Sequence, residues 1–445
     1  MTDSAPIPCD LCVVGTGMAG MAAALFAANR GLNTALVGRT GEIIFATGLI
    51  DLMGVHPVES GTVWSDPWAA IAALVRDLPQ HPYARLSTEA IRSALKEFLD
   101  FFEANGMPFM GRPDRNVAVL TSLGTLKTTY RVPQTLWAGV DAWERKRPCL
   151  IADIQGLKGF SARQIAAAAG GGWPGLRTTR LNLPRTEGGG ELFAERLARR
   201  LELDTHRQGL VRALGPHLGG VETVGLPAVL GISRPAAVLQ DVEQRRGLPV
   251  FEIPTMPPGT TGLRLKETFE RGLGAKGVTL FLENRVFRAA TPPGGGFLLE
   301  IGRIEPELTI RAPVVVLATG RFMGGGLRAD RREVRETLFG LPVRQPEGRA
   351  HWHRAEFLDP RGHPVNRAGI EIDESFRPLD ASGRPAHAHL FAAGSILAHQ
   401  DWMRMKCGSG LAIATAWGAV GQALSRLGQG STFVCHFPRD RLALS

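Results

Sequence analysis

Residues 9 to 40 read CDLCVVGTGMAGMAAALFAANRGLNTALVGRT. A short apolar stretch, Cys9 to Val14, is followed by Gly15-x-Gly17-x-x-Gly20 and by an alanine-rich segment, Met18 to Asn29, whose composition suits a helix lying on a sheet. Asn33 to Val37 reads as a second strand. This order opens a βαβ unit in which one glycine makes a tight turn, one lets phosphate approach the backbone, and one lets helix pack on strand. The free amides and the helix dipole then favour an anion, so Gly15, Gly17, Met18, Ala19 and Gly20 are the expected phosphate contacts. The turn alone does not separate flavin from nicotinamide cofactors.

The unit lacks one usual part. An acid about 20 residues past the glycines normally takes the ribose hydroxyls, yet this chain has Gly38, Arg39 and Thr40 there and its first acid, Glu42, lies beyond the strand. Three readings follow: FMN, which has no adenosine; FAD held differently, with Arg39 on a phosphate; or NADP, with Arg39 on the 2′-phosphate.

Two later turns make NADP the weakest of these. Ala318-Thr319-Gly320 ends an apolar strand, and LFAAGS, with Gly394 and Ser395, leads to GSGLAIATAWGAVGQAL. They stand in the order of two-dinucleotide-domain flavoproteins, in which the closing helix aims its N-terminus at the flavin, and Gly408, Ser409 and Gly410 would supply that start. Thr47 and Gly48, in a loop of small residues, and Val286, in the strand VTLFLENRVFRA, complete the expected flavin set.

The expected fold is therefore α/β, a two-dinucleotide-binding-domain flavoprotein with a Rossmann-like FAD/NAD(P)-binding fold and an inserted α/β cap or substrate domain. The flavin domain is expected to be discontinuous, from 1–60, 260–330 and 385–430. Strand-helix alternation from residue 149 onward places the insertion at 61–259; 331–384 forms a second, small insertion and 431–445 a tail.

The formal charge of +9 attracts phosphates of any kind. Its basic clusters, at Arg196, Arg199 and Arg200, at Arg245 and Arg246, and at Arg328, Arg331, Arg332 and Arg335, are dispersed, and only two tyrosines are present for base stacking. That pattern reads as solvated helix faces and argues against nucleic acid as a partner. Five cysteines without framework spacing suit a reducing compartment. Cys9 and Cys12, three apart in a strand and so expected to face opposite sides, read as core; Cys149, Cys407 and Cys435 are isolated, so no metal or iron-sulfur set is expected. No stretch reaches the roughly 18 to 20 apolar residues of a membrane span, and MTDSAPIP is no leader, which points to the cytoplasm.

Together, the 9–40 unit, IIFATGLIDL, HPYARL, TSLGTLKTTY, PTMPPGTTGLRL, VVVLATGRFMGGGL and LFAAGSIL with CGSGLAIATAWGA resemble the B subunit of anaerobic glycerol-3-phosphate dehydrogenase, from about residue 9 to 425. The resemblance implies a flavin protein, FMN-dependent, that pairs with a catalytic FAD-containing partner (A-type) and a membrane-attached iron-sulfur partner (C-type). Such a complex oxidises sn-glycerol 3-phosphate to dihydroxyacetone phosphate and reduces quinone, which would place this chain peripherally on the cytoplasmic face of the inner membrane. FMN is the expected cofactor, with FAD the alternative. Where that family has small residues, this chain has AHQDWMRMKCG, so Trp402 and Met403 are expected to reshape the flavin edge.

For chemistry, His399, a few residues past the Ala-Gly-Ser turn, and His81 are candidate acids or bases. Arg264, Arg321 and Lys127 are candidate anion holders for a phosphate substrate. Two other functions fit the same residues: a self-sufficient flavin dehydrogenase or reductase of another small acid, and a non-catalytic structural role within a complex.

Overall fold

A computed structural model describes residues 5–39, 43–183 and 191–429; Thr40, Glu42, Cys435 and the tail lie outside them. Its central sheet has five parallel strands in the order Thr279–Leu282, Thr34–Gly38, Leu11–Val14, Val314–Leu317 and Leu390–Ala392. The strands read as continuous apolar runs because both faces are covered. Leu11, Val13, Leu36, Val314 and Val316 face one core, built with the helices Met18–Asn29, Thr88–Ala104, Thr260–Ala275 and Gly408–Gln429. Cys12, Val14, Ala35, Val37, Val315 and Leu317 face the other, built with the antiparallel strands Arg285–Ala290, Phe297–Gly302 and Leu308–Ala312.

Two expectations change here. Cys9 and Cys12 are both buried core residues, but they share one face, because the strand begins only at Leu11 and the period-2 argument does not reach Cys9. A hydrogen bond to Cys9, and then burial, push the Cys12 thiol well above its ordinary range.

The packing also changes later than residue 61. Asp66 caps the helix Pro67–Asp77 and Ser87 caps Thr88–Ala104, and both helices bury Ile71, Leu74, Leu95, Phe98 and Phe102 in the first core. A second parallel sheet, ordered Val250–Ile253, Thr223–Pro227, Cys149–Ile154 and Leu176–Leu181, has its own cores on its two faces. Leu327, Val334, Leu341, Trp352, Val365 and Ile370, most of them from the smaller expected insertion, fold onto the second core of the flavin-type sheet. Among the described residues no helix is long and apolar enough to cross a membrane, and no cluster of three His, Cys, Asp or Glu could hold a metal.

Candidate functional site

The glycine turn is built by contact. Gly15 has φ +119°, and a Cβ there would strike the Ala318 carbonyl; one on Gly20 would strike the Gly15 carbonyl. Strand, turn and helix can therefore close only with hydrogen at these positions. The helix Met18–Asn29 starts at Gly17 with no side-chain cap and no acid in its first turn, and Met21 N–H bonds back to Gly17 O at 3.0 Å. The amides ahead of Met21 thus face an end left open to an anion.

The neighbouring strand ends complete a cradle. Ala318 N–H donates to Val14 O at 2.8 Å, Gly320 has φ +68°, and the Thr319 hydroxyl is buried without a partner among the described residues. Gly394, at φ +83°, packs so closely on Ala19 that a Cβ would lie 2.5 Å from the alanine methyl. Its N–H donates to Thr415 Oγ1 at 2.9 Å, which ties the Gly394-Ser395 turn to the closing helix.

Where a ribose acid is missing, Gly38 leaves no room for a side chain. A Cβ on Gly38 would sit 2.7 Å from Thr16 N and 2.8 Å from its hydroxyl, and that hydroxyl donates to Arg39 O at 2.9 Å. Arg39 is exposed and reaches the Arg303 carbonyl at 3.4 Å. Thr16 is a residue that sequence reasoning missed, since nothing in the motif demands a hydroxyl there.

The loop of small residues lies over the start of the closing helix. Gly48, at φ +77°, abuts Thr261, and a Cβ on Gly262 would meet Ile44 O and Ala46 O, so the PPGTTGLRL segment acts as the seat of this loop. Ser409 Oγ accepts Asp51 N–H at 3.0 Å and donates to Leu49 O at 3.0 Å. Gly410 N–H donates to Asp51 O at 2.8 Å, so of the expected helix start one amide is already taken. Above the loop, Tyr130 N–H donates to Ile50 O and Ile50 N–H to Arg131 O, stitching down the hairpin Val117–Leu120 and Leu126–Thr129. Lys127 Nζ then meets Asp51 Oδ2 at 2.8 Å and Thr47 Oγ1 at 3.4 Å.

The other candidates are placed as follows. Arg264 is fully buried: Nη2 donates to Glu252 Oε1 at 2.9 Å, Nη1 to Glu252 Oε2 at 2.5 Å, and Nε to Gly231 O at 2.8 Å. It is an internal ion pair and not the anion holder expected for it. Arg321 is likewise committed, to the carbonyls of Ser395, Asn366 and Gln400, and burial pulls its guanidinium down to about 10. Val286 sits at a register shift in its strand, against the second core. Trp402 and Met403 are half exposed, and Trp402 packs its ring on Gly408.

His81 and His399 come together at a cleft of about 490 Å³, also lined by Asp77, Arg344 and Arg367. His399 Nε2 pairs with Glu371 Oε1 at 2.8 Å. His81 is fully buried and takes Tyr83 N–H on Nδ1 at 3.2 Å, which leaves the proton on Nε2, an atom with no partner among the described residues. Burial first, then the neighbouring charges of His399, His56 and Arg367, pull its pKa down to about 3. His81 is therefore neutral near pH 7, a hydrogen-bond donor rather than a charged acid.

The open helix end and the glycines that only hydrogen fits together suit a flavin phosphate. Over residues 10–411 the chain matches the family described as FAD binding domain. It is 31% identical over 431 residues to a Halobacterium salinarum protein named as a probable B subunit of anaerobic glycerol-3-phosphate dehydrogenase, with 93% of this chain and 97% of that one covered. A Vibrio vulnificus protein named as the B subunit of the same dehydrogenase is 28% identical over 431 residues, covering 93% and 96%. Among solved structures, 3-ketosteroid delta1-dehydrogenase from Sterolibacterium denitrificans matches with a TM-score of 0.42 and 12% identity, over 94% of this chain and 100% of that one. The chain belongs to the FAD binding domain family and, within it, to the anaerobic glycerol-3-phosphate dehydrogenase B subunits.

Proposed function

We propose that this chain is the flavin-holding member of a quinone-linked glycerol-3-phosphate dehydrogenase, working with an A-type flavoprotein partner and a C-type iron-sulfur partner. Through them it would sit on the membrane surface, while the complex oxidises sn-glycerol 3-phosphate to dihydroxyacetone phosphate and passes the electrons to a quinone. The observation that carries the reading is the uncapped helix end at Gly17, closed in by the Ala318 and Gly394 turns. When bound, the flavin supplies a two-electron acceptor, a chemistry that amino-acid side chains lack.

The chain's own residues do the holding. Amides near Gly17, Met18, Ala19 and Gly20 would take the phosphate end, the Thr47-Gly48 loop and the Gly408 helix start would enclose the other, and His399, paired with Glu371, would move a proton at Nε2. The family favours FAD. FMN is favoured by a separate observation, since Gly38 can carry no ribose-binding acid and Arg39 is turned to Arg303.

One measurement decides among these: the visible spectrum of the purified chain, with the nucleotide released by heating. Released FAD supports the dinucleotide and removes FMN; released FMN does the reverse. A colourless chain that neither flavin reconstitutes would leave only a structural role in the complex.

A further inference from the structure

The cleft that His81 and His399 share is built from four separate parts of the chain: the 77–81 segment, the strand Val343–Arg344, the single turn Pro364–Arg367 with Ala368, and His399. Backbone bonds fix their relative places. Arg344 stands opposite Gly369 in the ladder of Val343–Arg344 with Gly369–Ile370, and His399 N–H donates to Arg367 O at 3.1 Å. His399 is held there at φ +65°, a left-handed conformation that is strained for a residue with a side chain and that the surrounding structure must maintain. None of the lining residues belongs to the glycine turns, the 47–51 loop or the start of the closing helix, the parts that would enclose the flavin.

The lining sets cations and donors against one engaged acid. Arg344 is exposed, and among the described residues its guanidinium has no ion pair. Arg367 Nη2 donates to Glu59 Oε1 at 2.8 Å with its side chain still 37% exposed, and His399 Nε2 pairs with Glu371. Asp77 is the acid of the lining, and both its oxygens are taken, by His56 Nε2 and by Arg76 Nε, each at 2.9 Å. His81 adds a donor that lacks an acceptor: Nδ1 takes Tyr83 N–H, and Nε2 is buried without a partner among the described residues. A buried N–H of this kind calls for an acceptor, supplied by a ligand or through a water. After burial, it is the positive neighbours His399, His56 and Arg367 that keep His81 uncharged, and the same field draws an anion.

We propose that this cleft binds one small molecule by its oxyanion group, a phosphate or a carboxylate, gripped by the Arg344 and Arg367 guanidinium groups, with His399 and the His81 Nε2–H completing the polar lining. A planar guanidinium fork matches the paired oxygens of such a group, and a charge-assisted contact of this kind is stronger than a neutral one. At about 490 Å³ the cleft takes a molecule of a few carbons whole. Reading that anion as the substrate rests on the function proposed above; the binding site itself does not.

The test is calorimetric titration of the full chain carrying its flavin, with glycerol 3-phosphate, inorganic phosphate, lactate and glycerol in separate arms. We expect at least one of the three oxyanions to bind and glycerol, which lacks the charge, not to. Arg344→Gln and Arg367→Gln should each weaken that binding by about tenfold or more, as loss of one charge-assisted contact predicts. Arg344→Lys, which keeps the charge and loses the fork, should fall between parent and glutamine variant. Flavin content and melting temperature are read beside each titration, because arginines that serve structure alone would shift these and leave the anion affinity of the folded chain unmoved. No oxyanion binding by the parent chain, or equal affinity in the parent and both glutamine variants, overturns the site. Arginine-dependent binding of inorganic phosphate or lactate without glycerol 3-phosphate keeps the site and removes glycerol 3-phosphate as its ligand. A chain that takes up no flavin and still binds an oxyanion through Arg344 keeps the site and removes the flavin reading.

Discussion

At the scale of single residues, charge placement separates structure from chemistry. Arg264 and Glu252 neutralise each other with their side chains buried, so removing one leaves the other buried and unpaired. Arg264→Leu should cost about 3–5 kcal/mol in urea unfolding, and adding Glu252→Leu should return a large part of it. The flavin content of the folded fraction should stay unchanged, which would distinguish this pair from a substrate contact. His81 gives a pH signature. Its folded pKa, about 3, lies below the ordinary 6.5, so between those values the unfolded chain binds a proton that the folded chain does not. Its contribution is whole above pH 6.5 and is lost as pH falls towards 3, at about 1.4 kcal/mol per pH unit. In unfolding curves at pH 7.5, 6 and 5, the parent chain should lose about 1 kcal/mol more than His81→Gln between pH 6 and 5, and less than that between pH 7.5 and 6. Parallel curves would mean that His81 does not titrate as its burial requires. At the glycine turn, Gly17→Asp should abolish flavin binding, because it puts a side chain and a like charge where the phosphate approaches. Flavin retained at full stoichiometry in that variant would place the phosphate elsewhere.

At the scale of elements, the site depends on how one loop is fastened to one helix. Ser409 Oγ makes two bonds to the 49–51 segment and ties that loop to the helix start. Ser409→Ala should lower stability by about 1–2 kcal/mol and speed flavin loss, read as fluorescence recovered on dilution. The glycine turns themselves were legible in the sequence, because each places a residue without a side chain between a strand and a helix, and only close backbone approach requires that. Parallel strands with both faces covered also announce themselves as unbroken apolar runs, as in Val314–Leu317. What stayed hidden came from contacts between distant segments. Arg264 follows a glycine-rich motif and looks like an anion holder, but its partner Glu252 lies on a strand of the other sheet. Helix Thr88–Ala104 has an ordinary amphipathic pattern, which tells that it has a buried face and not which core receives it. Asp51 and Lys406 carry no local signal at all: one is an isolated acid in a loop, and the other is a lysine whose left-handed backbone is set by Gly54 and Val55, far away in sequence.

At the scale of the whole molecule, each basic cluster has at least one arginine paired within the chain. Arg199 pairs with Glu195 and Glu267, Arg245 with Asp204 and Asp241, and Arg335 with Asp330 and Glu333, so acids are interleaved with the basic clusters, in keeping with their reading as solvated faces. Exposed pairs of this kind contribute little to stability and are screened by salt. A different feature bears on assembly: Phe322 and Met323 beside the Ala318 turn, and Phe357 and Leu358 in the 331–384 region, are exposed large apolar residues. The family to which the chain belongs is named for subunits, and the described residues hold neither a metal cluster nor a membrane-crossing helix. If the chain works as proposed, as one subunit of a complex, electrons reaching its flavin leave through another subunit. We therefore expect the native tagged chain to co-purify with a second flavoprotein and an iron-sulfur protein, and glycerol 3-phosphate oxidation with a dye acceptor to follow the assembled fraction. Arginine in place of Phe322 and Met323, or of Phe357 and Leu358, should identify which apolar pair lies in a contact, by loss of co-purification with flavin content unchanged. A lone chain that oxidises glycerol 3-phosphate as fast as the assembled fraction would make the partners dispensable and the self-sufficient dehydrogenase the correct description.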